Sequence, residues 1–216
     1  MDEAVQKKLE NFFSPYKKRA FKKGEVLIPA HENPISVYFL TSGSVRCYSI
    51  SKQGKEQILT LFKAPSFIPM MWILGEIENK YYYEAIEQVD VYVGPKDDFM
   101  TFIKNKPDIL LDLLTRMYRG TSGLLKRLEY LMNGTAYQKV IFTILNNAAR
   151  FGKKTSDPKE SSLRITHKEI SSLSGLTKET ISRQSRKLQK KGLIENVNNL
   201  ITIKDVAQLE RELATS

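Results

Sequence analysis

The stretch from Thr166 to Lys191 restricts the fold more than any other part of the chain. In Thr166-His167-Lys168-Glu169 the Thr166 hydroxyl is placed to accept from the Glu169 N–H while the Glu169 carboxylate reaches back to Thr166, a capping box that starts a helix at His167. Ile170 and Leu173 give that helix one apolar face, Ser174-Gly175-Leu176 breaks it, and Thr177 caps a second helix running to about Lys191. Two helices joined by a short glycine turn predict a helix-turn-helix. Projected at about 100° per residue, the second helix sets Ile181 and Leu188 on one side. Glu179, Ser182, Arg183, Arg186 and Lys190 fall on the opposite side, with Lys178 and Lys187 flanking. Gly192-Leu193-Ile194 stops the helix, and residues 197–203 read as a hairpin turning at Asn198-Asn199, which completes a winged helix-turn-helix.

Those side chains suit a DNA surface. An Arg matches guanine O6 and N7 with two donors, a Glu accepts from cytosine N4, and Lys neutralises phosphate. Thr166, Thr177, Lys178, Glu179, Thr180, Ser182, Arg183, Arg186 and Lys187 are therefore the expected DNA-binding residues. The charge agrees with them: of the net +10, residues 1–132 hold +3 and residues 133–216 hold +7. Such a surplus attracts polyanions.

The rest of the 216 residues divides by the period of its apolar positions. From Phe21 to about Phe99, short runs such as residues 26–28, 37–40, 45–48, 57–62 and 89–93 are punctuated by Gly24, Gly43 and Gly54, which predicts a compact β-barrel or roll. After Pro107 the period changes. Leu110, Leu114, Met117, Thr121, Leu124, Leu128 and Leu131 follow alternating steps of four and three, a heptad seam for dimerisation, while Ile109 and Leu113 supply a second stripe for packing on the roll. Gly120 and Gly123 weaken the helix by about 1 kcal/mol each. Asn133-Gly134, residues that tolerate a left-handed backbone, end it and form a hinge. Residues 137–150 then read as an amphipathic helix and residues 152–162 as a polar loop. The expected segments are a sensor domain over 1–106, a dimerisation helix over 107–132 and a DNA-binding domain over 133–216. The fold class is α+β.

With these elements in place the chain resembles the CRP/FNR family of bacterial transcription regulators. The resemblance is most specific in Thr166-His167-Lys168-Glu169-Ile170, Ser174-Gly175-Leu176-Thr177-Lys178-Glu179-Thr180-Ile181-Ser182-Arg183 and Gly192-Leu193-Ile194, with Ser185 standing where leucine is usual. Lys23-Gly24-Glu25-Val26-Leu27, residues 38–45 and residues 51–56 are similar to the family's β-roll turns. The resemblance implies a jelly-roll-like double-stranded β-helix of the cyclic-nucleotide-binding type, a long dimer helix and a C-terminal winged helix-turn-helix. It implies base or phosphate contacts from Lys178, Glu179 and Arg183. A regulator of this kind works on double-stranded DNA as a homodimer, reads an inverted-repeat operator and has RNA polymerase as a partner.

The ligand site departs from the pattern. Cyclic-nucleotide binders of the family hold the phosphate with a Gly-Glu-Leu turn and an Arg-Ser or Arg-Thr pair about ten residues on. Here Gly75-Glu76-Ile77 is followed by Tyr81-Tyr82-Tyr83-Glu84-Ala85, and no arginine lies between Arg46 and Arg116. Lys80 is the nearest cation to the expected position but lacks the planar two-donor fork, and Glu84 would repel a phosphodiester. Cyclic AMP binding in the family's usual mode is not expected. Operator binding is expected either without any cyclic AMP or in response to an unknown, less charged effector near Trp72, Glu76, Tyr81 to Tyr83, Tyr118 and Thr121, which by shifting the dimer helix would reorient the DNA-binding domains. The chain also lacks the N-terminal cysteine cluster of the family's oxygen sensors. A single cysteine, Cys47, allows no internal disulfide or multi-cysteine metal site and reads as a core residue.

Neither histidine has a partner in sequence: His31 sits in a plain turn and His167 in the capping box. No nucleophile–base pair, metal-ligand set or phosphate loop occurs, so neither an enzyme nor a cofactor is expected. Met1 to Ser14 has no apolar run resembling a signal peptide, and nowhere do ~18 apolar residues follow one another as a membrane span needs. Cytoplasm is the expected compartment. The alternative function is a cyclic-nucleotide-type module that regulates a protein partner and uses its basic helix electrostatically.

Overall fold

The computed structural model describes residues 2–54 and 56–216 and divides into two compact units, Met1–Gly120 and Thr121–Ser216, with the boundary inside one long helix. The first unit is a β-roll with helices at its ends. Its elements are α1 (Glu3–Phe13), β1 (Lys17–Phe21), β2 (Val26–Ile28), β3 (Ser36–Ser42), β4 (Ser44–Ile50), β5 (Glu56–Lys63), β6 (Ser66–Ile68), α2 (Met70–Gly75), β7 (Tyr82–Ala85), β8 (Val89–Pro95) and α3 (Lys96–Lys104). They are followed by the long helix α4 (Pro107–Asn133). Two antiparallel sheets form, in the orders β1-β8-β3-β6 and β2-β7-β4-β5. One core joins strands of both sheets through Leu27, Leu40, Val45, Cys47, Tyr83 and Val91; a second collects α1, α3 and the start of α4 through Leu9, Phe13, Phe39, Phe99 and Ile109.

The glycine turns are where the sequence expects them: Gly24, Gly43 and Gly54 all have positive φ. At Gly43 a Cβ would lie 2.2 Å from the Gln88 carbonyl, so no other residue fits. Lys55, in the third of the similar turns, lies outside the described residues.

The second unit contains the end of α4, then α5 (Ala136–Phe151), β9 (Lys153–Lys154), β10 (Ser161–Arg164), α6 (His167–Ser174), α7 (Lys178–Lys190), β11 (Ile194–Val197), β12 (Leu200–Ile203) and α8 (Val206–Thr215). Its sheet runs β11-β12-β10-β9. The core includes Ile141, Ile144, Ile170, Ile181, Leu188, Ile201, Ile203 and Leu209, all fully buried. The wing turns at Asn198 and Asn199 with φ of 51° and 64°, pairing Val197 with Leu200.

The end of α4 differs from expectation. Neither Asn133 nor Gly134 has positive φ; the Gly134 N–H donates to the Tyr130 carbonyl at 2.9 Å and extends the helical pattern. Glycine is needed there for space instead, because a Cβ would come within 2.6 Å of that carbonyl. The Thr135 hydroxyl then caps α5 in a second capping box with Gln138.

Candidate nucleic-acid interface

The helix-turn-helix is built from local hydrogen bonds. Thr166 accepts from the Glu169 N–H at 3.1 Å, and Glu169 accepts from the Thr166 N–H at 2.7 Å. Gly175 caps α6 with φ 69°, and the Ser171 hydroxyl spans the turn to the Leu176 carbonyl at 2.6 Å. Thr177 then accepts from the Thr180 N–H. Ile181, Ser185 and Leu188 lock α7 inward. Lys178, Glu179, Arg183, Arg186, Lys187 and Lys190 are exposed together, as the helical projection expects, while Thr180 and Ser182 are half-buried at the margin.

The exposed groups are not equally free. Arg186 donates to the Ser182 hydroxyl at 3.2 Å, which orders both across one turn. The backbone N–H of Glu179 itself, then the Thr177 hydroxyl and Lys178, hold the Glu179 carboxyl below the ordinary range, so it is an acceptor at neutral pH. The Lys187 ammonium lies 4.1 Å from the centre of the Tyr137 ring on α5. Tyr137 donates to Glu212 at 2.8 Å, and Lys191 reaches the same carboxylate at 2.6 Å. This cluster joins α5, α7 and α8. Sequence reasoning missed it because its members lie as much as 75 residues apart.

On α4 the proposed seam is on the surface. Leu110, Leu114, Met117, Leu124 and Leu128 are between 38% and 56% exposed, Thr121 is exposed and Leu131 is half-buried. Ile109 is buried in the roll's second core and Leu113 packs against it, the second stripe of the sequence reading.

The residues suggested for an effector, Thr121 apart, are dispersed within the first unit. Tyr83 is 1% exposed in the roll core with Tyr81 packed against it, and it is hydrogen-bonded to Cys47, whose thiol burial pushes up to about 12. Trp72 packs, partly buried, against the second core, donates to the Pro34 carbonyl at 2.9 Å and carries Lys96 over its ring at 4.5 Å. The Glu76 side chain is 81% exposed and 3.9 Å from Lys96. Tyr118 is exposed on α4. The expectation that Glu84 stands as a free repelling charge is corrected: Arg46 donates to Glu84 at 2.8 Å and to Glu56 at 2.9 Å. Asn79, which the sequence reading passed over, is buried beside Lys80 and donates to the Pro29 and Glu32 carbonyls at 3.0 and 3.2 Å. A lone loop asparagine carries no signal of that role. Among the described residues no group of His, Cys, Asp and Glu could hold a metal ion, and no helix is long and apolar enough to cross a membrane.

A β-roll, a long helix and a winged helix-turn-helix with a cationic reading face define a DNA-binding transcription regulator. The comparisons with known proteins agree. The cyclic nucleotide-binding domain matches residues 18–106 and the Crp-like helix-turn-helix domain matches residues 138–212. The fumarate and nitrate reduction regulatory protein of Vibrio cholerae is 26% identical over 193 residues, 89% of this chain and 77% of that one. The anaerobic regulatory protein of Haemophilus influenzae is 27% identical over 190 residues, 88% and 74% of the two chains. Among solved structures, a CRP/FNR-family transcriptional regulator from Thermus thermophilus has TM-score 0.73 at 22% identity, covering 93% of this chain and 99% of that one. A CooA mutant from Carboxydothermus hydrogenoformans has TM-score 0.77 at 19% identity over 94% and 90%. The chain belongs to the CRP/FNR family, whose members are transcription regulators and not enzymes.

Proposed function

We propose that this protein is a homodimeric, cytoplasmic, sequence-specific transcription regulator that reads an inverted-repeat operator through α7. The observation that carries the reading is the two-sidedness of α7: Ile181, Ser185 and Leu188 are buried while Lys178, Glu179, Arg183 and Arg186 are exposed, directly after a left-handed glycine turn. Arg183 and Glu179 supply base readers at the end of the helix that enters the major groove; Lys178 and Lys187 supply phosphate contacts. The exposed apolar seam of α4 supports a second copy as partner. RNA polymerase is the further partner of such a regulator.

The sensor works without cyclic AMP in the family's usual mode. Arg46, the only guanidinium between β1 and α4, is committed to two carboxylates, and Tyr83 is in the core with Tyr81 packed against it. Mobility shifts test the dimeric reading: two half-sites in inverted orientation should be retarded as one complex at concentrations where the same half-sites in direct orientation are not. Equal retardation of both would refute it.

A further inference from the structure

The last turn of a helix leaves its carbonyls without partners inside the helix. In α6, the first helix of the helix-turn-helix, one of these belongs to Leu173, and its partner comes from α4. The Arg127 guanidinium donates to the Leu173 carbonyl at 2.7 Å. A cation there suits the negative end of a helix and makes the bond charge-assisted. Arg127 is half-buried, and that burial pulls its pKa down. It lies directly before Leu128 and three residues after Leu124, both exposed on the seam. At roughly 100° per residue it projects about 60° round the helix from Leu124 and about 100° from Leu128, on the flank of that seam.

The site is therefore a joint. Along the seam α4 offers apolar residues to a second copy; on the flank of the seam it grips the end of α6 two residues before the glycine that turns the chain into α7. Tyr130, one turn further along α4, stacks on Phe142 of α5 at 4.7 Å between ring centroids and adds a second fastening.

We propose that Arg127 is a positioning residue that fixes the angle of the helix-turn-helix on the dimer helix and thereby sets the half-site spacing the dimer accepts. The inference rests on the dimeric reading above. In a dimer, a small rotation of each reading helix moves the two helices relative to one another along the duplex, so spacing tolerance reports the stiffness of this joint. A contact that merely stabilised the domain would change affinity for every duplex alike.

The test uses the full-length chain and duplexes carrying one half-site, or two inverted half-sites with spacers one and two base pairs shorter or longer than the best. Arg127→Met keeps the apolar stem and removes the donors; Arg127→Lys keeps a cation that can still reach a carbonyl. Wild type should show a sharp optimum. Arg127→Met should lose about tenfold on the best repeat, the order expected for one charge-assisted bond, with single half-site affinity unchanged and the spacing profile flattened. Arg127→Lys should restore part of the optimum and stands in if the Met variant fails to fold. An unchanged spacing profile in both variants overturns the proposal, as does an equal loss on single and paired half-sites. A flat profile in wild type overturns the dimeric reading and the proposal with it.

Discussion

Arg183 and Lys187 stand one turn apart on α7, yet only one of them already has an aromatic partner. Lys187 rests over the Tyr137 ring; Arg183 is exposed on the reading face. Arg183→Ala should cost roughly 1–3 kcal/mol and relax specificity at one operator position. Lys187→Ala should weaken operator and random duplexes alike and reduce the salt slope by about one. Binding isotherms on both duplexes across a salt series decide the matter, and equal losses on both duplexes for Arg183→Ala would remove it from base reading. Ser185 is a different case. It is 2% exposed and its hydroxyl has no hydrogen-bond partner, so Ser185→Ala should stabilise the protein by about 1 kcal/mol, the lower end of the cost of a buried unsatisfied polar group. Thermal unfolding would then rise by about 2–4 °C. The sequence reading recognised Ser185 as a departure from the family but not as an unsatisfied donor, because satisfaction depends on what surrounds the position. The Thr166–Glu169 box was legible because both partners lie within one turn; the Tyr137–Glu212–Lys191 cluster was not, because no local pattern links its members.

At the scale of elements, α4 does two things with two stripes. Ile109 and Leu113 pack in the first unit, while Leu114 and Leu128 are exposed, where the proposed dimer places a second copy. Replacing Leu114 and Leu128 by Glu should split the dimer, since each would place a charge in a desolvated seam, and should leave the monomer folded because neither side chain is part of the buried core. Light scattering that still reports a dimer would show that the chains associate elsewhere. The heptad step was readable from sequence because a helix repeats its faces. The short strands were less so: β1 carries three consecutive cations on an edge and β6 is three residues long, too few alternations to show a period. At Asn133-Gly134 the residue types suggested a left-handed cap, but the Tyr130 carbonyl shows that the glycine answers to crowding.

The whole molecule joins a roll whose core is filled by its own side chains to a unit that presents cations. Phe62 and Tyr81 pack against buried Tyr83 and Cys47, and the Arg46 guanidinium is already shared between Glu56 and Glu84. Between β1 and α4 a cyclic nucleotide would meet no uncommitted guanidinium for its phosphate, because Arg46 is the one arginine of that stretch. Calorimetry with cyclic AMP and cyclic GMP should therefore give no micromolar binding, and neither should tighten DNA binding; saturable micromolar heat with improved affinity would show that Lys80 or another cation replaces the arginine. The architecture was legible in order and kind, because capping, turn and periodicity signals agree across the chain. The state of the ligand region was not, because it depends on which side chains fill the roll. The proposed function stands or falls on two copies of α7 reading two major grooves. Selection of bound duplexes from a random pool by the full-length protein, followed by footprinting, decides this: an inverted repeat with half-site centres about one helical turn, ~34 Å, apart is expected, and recovery of unrelated sequences, or of a single unsymmetrical site, would refute it.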